Sequence, residues 1–240
     1  MAEGRITQLW RYPVKSMRGE QVRSLRADWR GAGGDRTHAV VHEHKGEVKP
    51  LTAREAPALL AWQGTYPFAP DAGLDPTDPP LAQVVDPRGS RLAWTDPRLK
   101  RKLSDALGRE VDLRRDLEGQ QDLGRSLLVT VGASLRALET ELGVPIDGRR
   151  FRTNIHLELD AEPWAELGWE GRTLRIEGGV LLKFLHPCER CAIPTRDPDT
   201  QVKWPELLRH LVAHHGQCFG INARVVIAGR IAVGQTVQVT

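Results

Sequence analysis

The 240-residue sequence has only three cysteines, Cys188, Cys191 and Cys218. Three thiols are too few, and odd in number, for a disulfide framework, so metal or redox chemistry is the role expected of them. No apolar run approaches the ~18 residues that a membrane helix needs, and residues 1–10 lack the apolar stretch of a signal peptide. No membrane partner and a cytoplasmic location are therefore expected. Charge of one sign is also lacking: 34 basic against 31 acidic side chains leave +3, which gives no reason for a nucleic-acid partner. Lysine is scarce, with seven positions against 27 for arginine.

What is present is 40% hydrophobic and 27% charged, the balance of a globular chain with a real core. Alternating residues predict strands over 5–12 and 21–28, joined by the turn Lys15-Ser16-Met17-Arg18-Gly19. The glycine-rich stretch from Arg30 to Arg36 runs into Ala39-Val40-Val41 and not into a helix, so it is neither a P-loop nor a dinucleotide fingerprint, though its amides suit an anion. Thr52 followed by Glu55 predicts a short capped helix, and residues 65–80, rich in Pro, Asp and Gly, a surface loop. A hairpin around Asp86-Pro87-Arg88-Gly89 and a helix from Asp96 to Leu107, ended by Gly108, close a first unit near residue 118. Beyond it the pattern predicts strands over 126–131 and 151–159, further strand material over 173–184, and strands over 223–227 and 235–239. It also predicts a helix over 134–142 capped by Ser134, and another from Pro205 to His215. The sum is a β-rich α+β protein of two units, 1–118 and 119–240.

Cys188-Glu189-Arg190-Cys191 is the sharpest local feature: two thiols three apart suit a redox pair, half a zinc site or a softer metal. With His210 and His214, one helical turn apart, the same thiols have a zinc-site order. The 18-residue spacer from 192 to 209 exceeds the ~12 to 15 of a zinc finger, however. Arg36, Arg152 and Arg190 stand in short loops where a planar fork can clamp phosphate or carboxylate. Asp197 and Asp199 read as turn residues bonding their own backbone. No nucleophile elbow, EF-hand spacing or nicotinamide-binding βαβ unit is present.

Taken in order, Leu9-Trp-Arg-Tyr-Pro-Val-Lys-Ser16, Gly34-Asp-Arg36, Leu51-Thr-Ala-Arg54, Ala133-Ser-Leu135, Phe151-Arg-Thr-Asn-Ile155, Cys188-Glu-Arg-Cys191, Asp197-Pro-Asp-Thr200, Phe219-Gly220 and Val233-Gly234 span nearly the whole chain. This ordered set resembles the MOSC family (molybdenum cofactor sulfurase C-terminal domain), preceded by its N-terminal β-barrel domain. The resemblance implies two packed β-barrel units with molybdenum-molybdopterin between them. It implies Cys191 as the metal ligand and catalytic residue, with Cys188 a neighbour, and Lys15, Ser16, Arg36, Asp122, Arg152, Asn154 and Arg190 as phosphate and pterin contacts. The chain departs from the family pattern at Val131-Gly132, which precede Ala133, and at Ile221-Asn222, which follow Gly220.

The activity so implied is that of an oxidoreductase of the amidoxime-reducing type, which reduces small N-hydroxylated compounds or N- and S-oxides by oxygen-atom transfer. Three cysteines supply no four-cysteine iron–sulfur module, so electrons are expected from a separate cytochrome b5- or ferredoxin-like protein. Two other readings are compatible with the same residues: a cofactor carrier or sulfur-transfer module without reductase activity, and a zinc-stapled binding domain.

Overall fold

Alternation along Ala2–Arg11 makes a strand (β1) that buries Ile6 and Leu9 completely. The computed structural model describes residues 2–69, 72–117 and 126–240. Nine further strands belong to the first half: β2 (Glu20–Val22), β3 (Ser24–Asp28), β4 (Gly31–Ala32), β5 (His38–His44), β6 (Glu47–Pro50), β7 (Gln63–Thr65), β8 (Gln83–Val85), β9 (Arg91–Ala93) and β10 (Asp112–Arg115). One helix, α1 (Pro97–Leu107), packs beside them. The second half holds β11 (Leu127–Val131), α2 (Gly132–Leu142), β12 (Ile155–Leu159), β13 (Thr173–Ile176), β14 (Leu181–Glu189), α3 (Pro205–His214), β15 (Cys218–Ile227), β16 (Gly229–Ala232) and β17 (Thr236–Val239).

The large sheet runs β12-β11-β15-β14-β13-β17-β1-β2, and β12 also pairs with β1, so seven strands close into a barrel. Closure removes the open edges that β1 and β12 would otherwise present. The one parallel pair in it, β11 with β12, is bridged by the crossover that contains α2. Inside lie Ile6, Leu9, Val129, Leu157, Leu174 and Ile221 with their neighbours. The fold is thus β-rich α+β with three α-helices among the described residues, as the sequence predicts. Three small sheets accompany the barrel, β10-β5-β6, β16-β3-β4 and β7-β8-β9. A second core around Val40, Leu59, Val84, Leu99 and Leu103 serves the first half, and a third joins α2 and α3 through Leu138, Phe151, Leu207, Leu211 and Phe219.

Local expectations held where a single residue type dictates the geometry. Asp96 caps α1 by accepting from the Arg98 amide and Gly108 ends it at φ 62°. The Asp86 carboxylate closes the β8–β9 turn onto the amides of Arg88 and Ser90. Others failed for tertiary reasons. Thr52 and Glu55 do bond each other, but Pro57 allows only a turn and a 3-10 segment, Pro57–Ala61. Ser134 lies inside α2 and does not cap it, because its hydroxyl donates to buried Glu166 and accepts from the Trp164 amide. Residues 65–80 are not simply surface loop: Tyr66 and Leu74 are buried against the glycine-rich stretch. A Cβ on Gly33 or Gly34 would meet the Leu74 carbonyl or the Tyr66 ring, so these glycines serve close packing. The Gly33 amide donates to Arg26 and the Asp35 amide to Ala32, which leaves neither for an anion.

Candidate functional site

The predicted strand over 151–159 begins only at Ile155. Before it, Gly148–Phe151 is a 3-10 turn and Arg152 adopts φ 57°. Ser16 and Arg36 are also left-handed, at φ 68° and 51°. Each such non-glycine residue costs on the order of 1 kcal/mol and persists only where its surroundings over-determine it. Here the surroundings are one turn, residues 12–19, that leaves β1. Ser16 lies in that turn and its Oγ accepts from the Ala53 amide; the Arg36 amide donates to the Tyr12 carbonyl; Arg152 Nη1 donates to the Met17 carbonyl at 2.6 Å. Arg152 thereby ties the second half of the chain to the first.

The ring of Tyr12 lies under two guanidinium groups, Arg152 at 4.3 Å and Arg36 at 5.1 Å. Its hydroxyl is buried without a hydrogen-bond partner among the described residues. Burial pushes its pKa up to about 12 against the opposing pull of Arg152, Arg36 and Arg190, so it stays a neutral donor. Arg36 is also paired with Asp35, whose other oxygen accepts from the Tyr12 amide at 2.7 Å. Tyr12 opens on a cleft of about 320 Å³ also walled by Arg18, Arg149, Arg150, Arg152 and Arg196. Five guanidinium groups line the cleft against one lining carboxylate, Asp197, with Asp147 and Asp199 paired to Arg149 and Arg18 behind them, so the wall keeps an excess of positive charge.

Two aspartates hold that wall. Asp197 accepts from the Thr200 amide and from Arg150 at 3.0 Å, which keep its carboxyl below the usual range. Asp199 does not bond its own backbone as predicted. It takes a bidentate bond from Arg149 (2.6 and 3.1 Å) and a longer one from Arg18 (3.3 Å), again bridging the two halves. The buried Nε of Arg18 and Oε1 of Gln201, both of cleft-lining residues, have no partner among the described residues. Unpaired buried polar atoms are costly, and a cleft is where a ligand can satisfy them.

The cysteine pair stands where β14 is irregular, its register to β15 shifting between Phe184, Pro187 and Glu189. Arg190 is buried. Its Nη1 donates to Cys188 Sγ at 3.0 Å and its Nη2 to the Phe151 carbonyl at 2.7 Å, while its Nε has no partner among the described residues. It therefore ties the cysteine loop to the turn that presents Arg152. Cys191 is half-buried and leads into the 3-10 turn Ile193–Thr195, whose Ile193 lines the cleft. Burial raises the pKa of Cys218, with the Cys188 and Glu189 charges adding.

Of the sequence-predicted residues, Arg152 lines the cleft and Arg36 reaches its wall through Tyr12, whereas Arg190 does not line it and bonds the carbonyl of Phe151, the residue before Arg152. Lys15 is fixed in the same turn by its amide, which donates to His38. Asn154 is engaged in closing the barrel: its Oδ1 accepts from the Leu128 amide and its Nδ2 donates to the Trp10 carbonyl. Asp122 and the expected boundary at residue 118 lie outside the described residues. The set Cys188, Cys191, His210 and His214 is not gathered as a metal site. His210 turns to Glu141, and Cys188 is held by Arg190. Sequence reasoning gave no role to Tyr12, Arg18, Arg149, Arg150, Arg196 or Gln201. The clue was the run Arg149-Arg150-Phe151-Arg152, three arginines in one short loop.

The chain belongs to the MOSC family: residues 115–238 match the MOSC domain and residues 3–89 the MOSC N-terminal beta barrel domain. Neither match alone contains the whole closed barrel, since β1 falls within the second and its partner strands within the first. Mitochondrial amidoxime-reducing component 1 of Mus musculus is 26% identical over 238 residues, covering 83% of this chain and 67% of that protein. The YuaD protein of Bacillus subtilis has the same fold, with a TM-score of 0.52 and 17% identity over 100% of this chain and 97% of its own. No helix of the described residues is long and apolar enough to cross a membrane.

Proposed function

We propose that the arginine-walled cleft holds a molybdenum-molybdopterin cofactor and that the protein is a reductase of N-hydroxylated compounds or N- and S-oxides. The observation that carries this reading is the conjunction at one cleft of the left-handed Arg152, the unpartnered Tyr12 hydroxyl and the adjacent Cys191 loop. Membership of the MOSC family and the resemblance to an amidoxime-reducing component support it.

The residues present fit such a group. A phosphate needs several charge-assisted donors, which Arg152, Arg36 and Lys15 would supply, and Ser16 would add a hydroxyl. A heterocycle needs edge partners, for which Tyr12 Oη and Gln201 Oε1 are poised. A thiolate suits a soft, sulfur-rich metal, the role we assign to Cys191. When bound, the group would supply two-electron oxygen-atom transfer. The chain itself contributes ligation, a positive cleft for the anionic cofactor, and a neutral phenol beside it. Arg190 is a positioning residue, holding the cysteine loop against Phe151. Electrons would come from a separate cytochrome b5- or ferredoxin-like protein.

Protein made in a host that synthesises the cofactor is expected to carry molybdenum and pterin in near-equal amounts. Cys191→Ala should abolish reduction while Cys188→Ala is milder. Arg152→Ala and Lys15→Ala should weaken cofactor retention roughly ten- to a hundredfold, since each removes a charge-assisted bond of about 1.5 to 3 kcal/mol. Elemental analysis, pterin fluorescence and turnover with an artificial low-potential donor are the readouts. Full retention in both anchor variants refutes the assignment, activity with NADPH alone refutes the external donor, and cofactor-replete protein inactive toward every such substrate points to a carrier.

A further inference from the structure

We propose that Glu141, His210 and His215 form a binding site for a divalent ion of the zinc class, separate from the cleft. The Nε2 atoms of His210 and His215 each lie 2.7 Å from the same oxygen, Glu141 Oε2. Among the described residues, this is the one group of three or more His, Cys, Asp or Glu side chains whose ligand atoms all lie within 4.8 Å of one another. The three come from separate places: the last turn of α2, the middle of α3, and the residue that follows α3.

Several features prepare these groups for a metal. Trp164 donates from Nε1 to the other oxygen, Glu141 Oε1, at 3.2 Å and stacks on the His215 ring at 3.5 Å, so both ligands are oriented by a neighbour. The side chains are recessed but reachable, at 18% exposure for His210, 12% for His215 and 30% for Glu141. Two imidazoles and a carboxylate make the His2Glu donor set that zinc takes with water in the fourth position. Nitrogen-rich ligation of this kind disfavours magnesium and calcium.

Zinc–ligand bonds of about 2.0 to 2.2 Å place tetrahedral ligand atoms roughly 3.3 Å apart, so each 2.7 Å histidine–carboxylate distance need open by only about half an ångström. Each imidazole then offers its Nε2 lone pair and carries its proton on Nδ1. His214, whose ring centre lies 4.5 Å from that of His210, is the remaining titratable neighbour in this group of rings. The ion would clasp α2 to α3 over the core of Leu138, Phe151 and Leu211, and Phe151 directly precedes Arg152.

The test is zinc titration of the full, chelator-treated chain by calorimetry, with cobalt as a spectroscopic probe. One equivalent is expected to bind and to raise the melting temperature. His215→Ala and Glu141→Gln should each weaken binding at least roughly a hundredfold, whereas His214→Ala and the triple variant Cys188→Ser, Cys191→Ser, Cys218→Ser should not. Bound cobalt should show ligand-field bands without a thiolate charge-transfer band. Glu141→Gln keeps the size of the side chain and the bond from Trp164, so it serves if His215→Ala does not fold. Absence of binding to the wild type, loss in the cysteine variant, or retention in Glu141→Gln overturns the proposal; the first and last leave the cofactor cleft untouched, whereas loss in the cysteine variant would assign the zinc to the thiols.

Discussion

His38 has no exposed surface; its Nδ1 lies 2.9 Å from Thr37 Oγ1 and its Nε2 accepts from the Ala82 amide at 3.4 Å. Burial, and then the nearby Arg115 charge, push its pKa down to about 4 from 6.5. Between those values the unfolded chain binds the proton and the folded chain does not, so stability falls as pH drops through that window. The full effect is about 3 kcal/mol. Asp86 and Asp96, held near pKa 2 by Lys102 and Arg98, lose their contributions only below about pH 4, which separates the two effects. Urea unfolding at pH 7 and 4.5 should therefore show a loss in the wild type that is about 2 to 3 kcal/mol smaller in His38→Gln. Equal losses would mean that His38 is protonated in the fold.

At the scale of elements, β1 is held on both sides at Gly4, opposite Leu159 of β12 and Val237 of β17. A Cβ there would overlap the Glu158 main-chain carbonyl, which cannot move without parting the barrel. At Gly132, the first residue of α2, a Cβ would instead meet the far end of the Glu158 side chain, which can swing away from its exposed pairing with Arg136. Gly4→Ala is therefore expected to cost about 2 to 3 kcal/mol and Gly132→Ala under about 1 kcal/mol, as denaturant midpoints would report. Comparable losses would show that the closure at Gly4 yields. The same contrast explains what was legible here. The strand character of residues 5–11 is written in their alternation, but the strand's partners are not, because they lie about 150 and 230 residues away.

For the whole molecule, the two halves exchange strands. The first strand of the chain completes the barrel of the second half, and β16, near the end, pairs with β3 near the beginning. Residues 126–240 alone would leave β12 and β17 with open edges and remove Ile6 and Leu9 from the barrel core. Expressed by itself, that segment should be aggregated or lack cooperative unfolding, and co-expression with residues 1–117 should restore it. A soluble monomer with a sharp melting transition from residues 126–240 would refute this.

The sequence by itself determined the turns and caps, where a single side chain sets the backbone: Asp96 and Gly108 around α1, and Asp86 in its hairpin. Ordered motifs spread along the chain also carried the family and the arginine and cysteine positions. Only the tertiary structure decided which of those residues converge. Tyr12 joins the cationic wall of the cleft because Arg36 and Arg152, 24 and 140 positions away, fold over its ring. Ser134 ceases to be a cap because Glu166, 32 residues on, takes its hydroxyl. His210 leaves the thiols for Glu141, 69 residues before it. Periodicity and local propensity report on the backbone within a few residues, whereas the partner of a polar side chain is set by strand register and barrel closure, which are long-range.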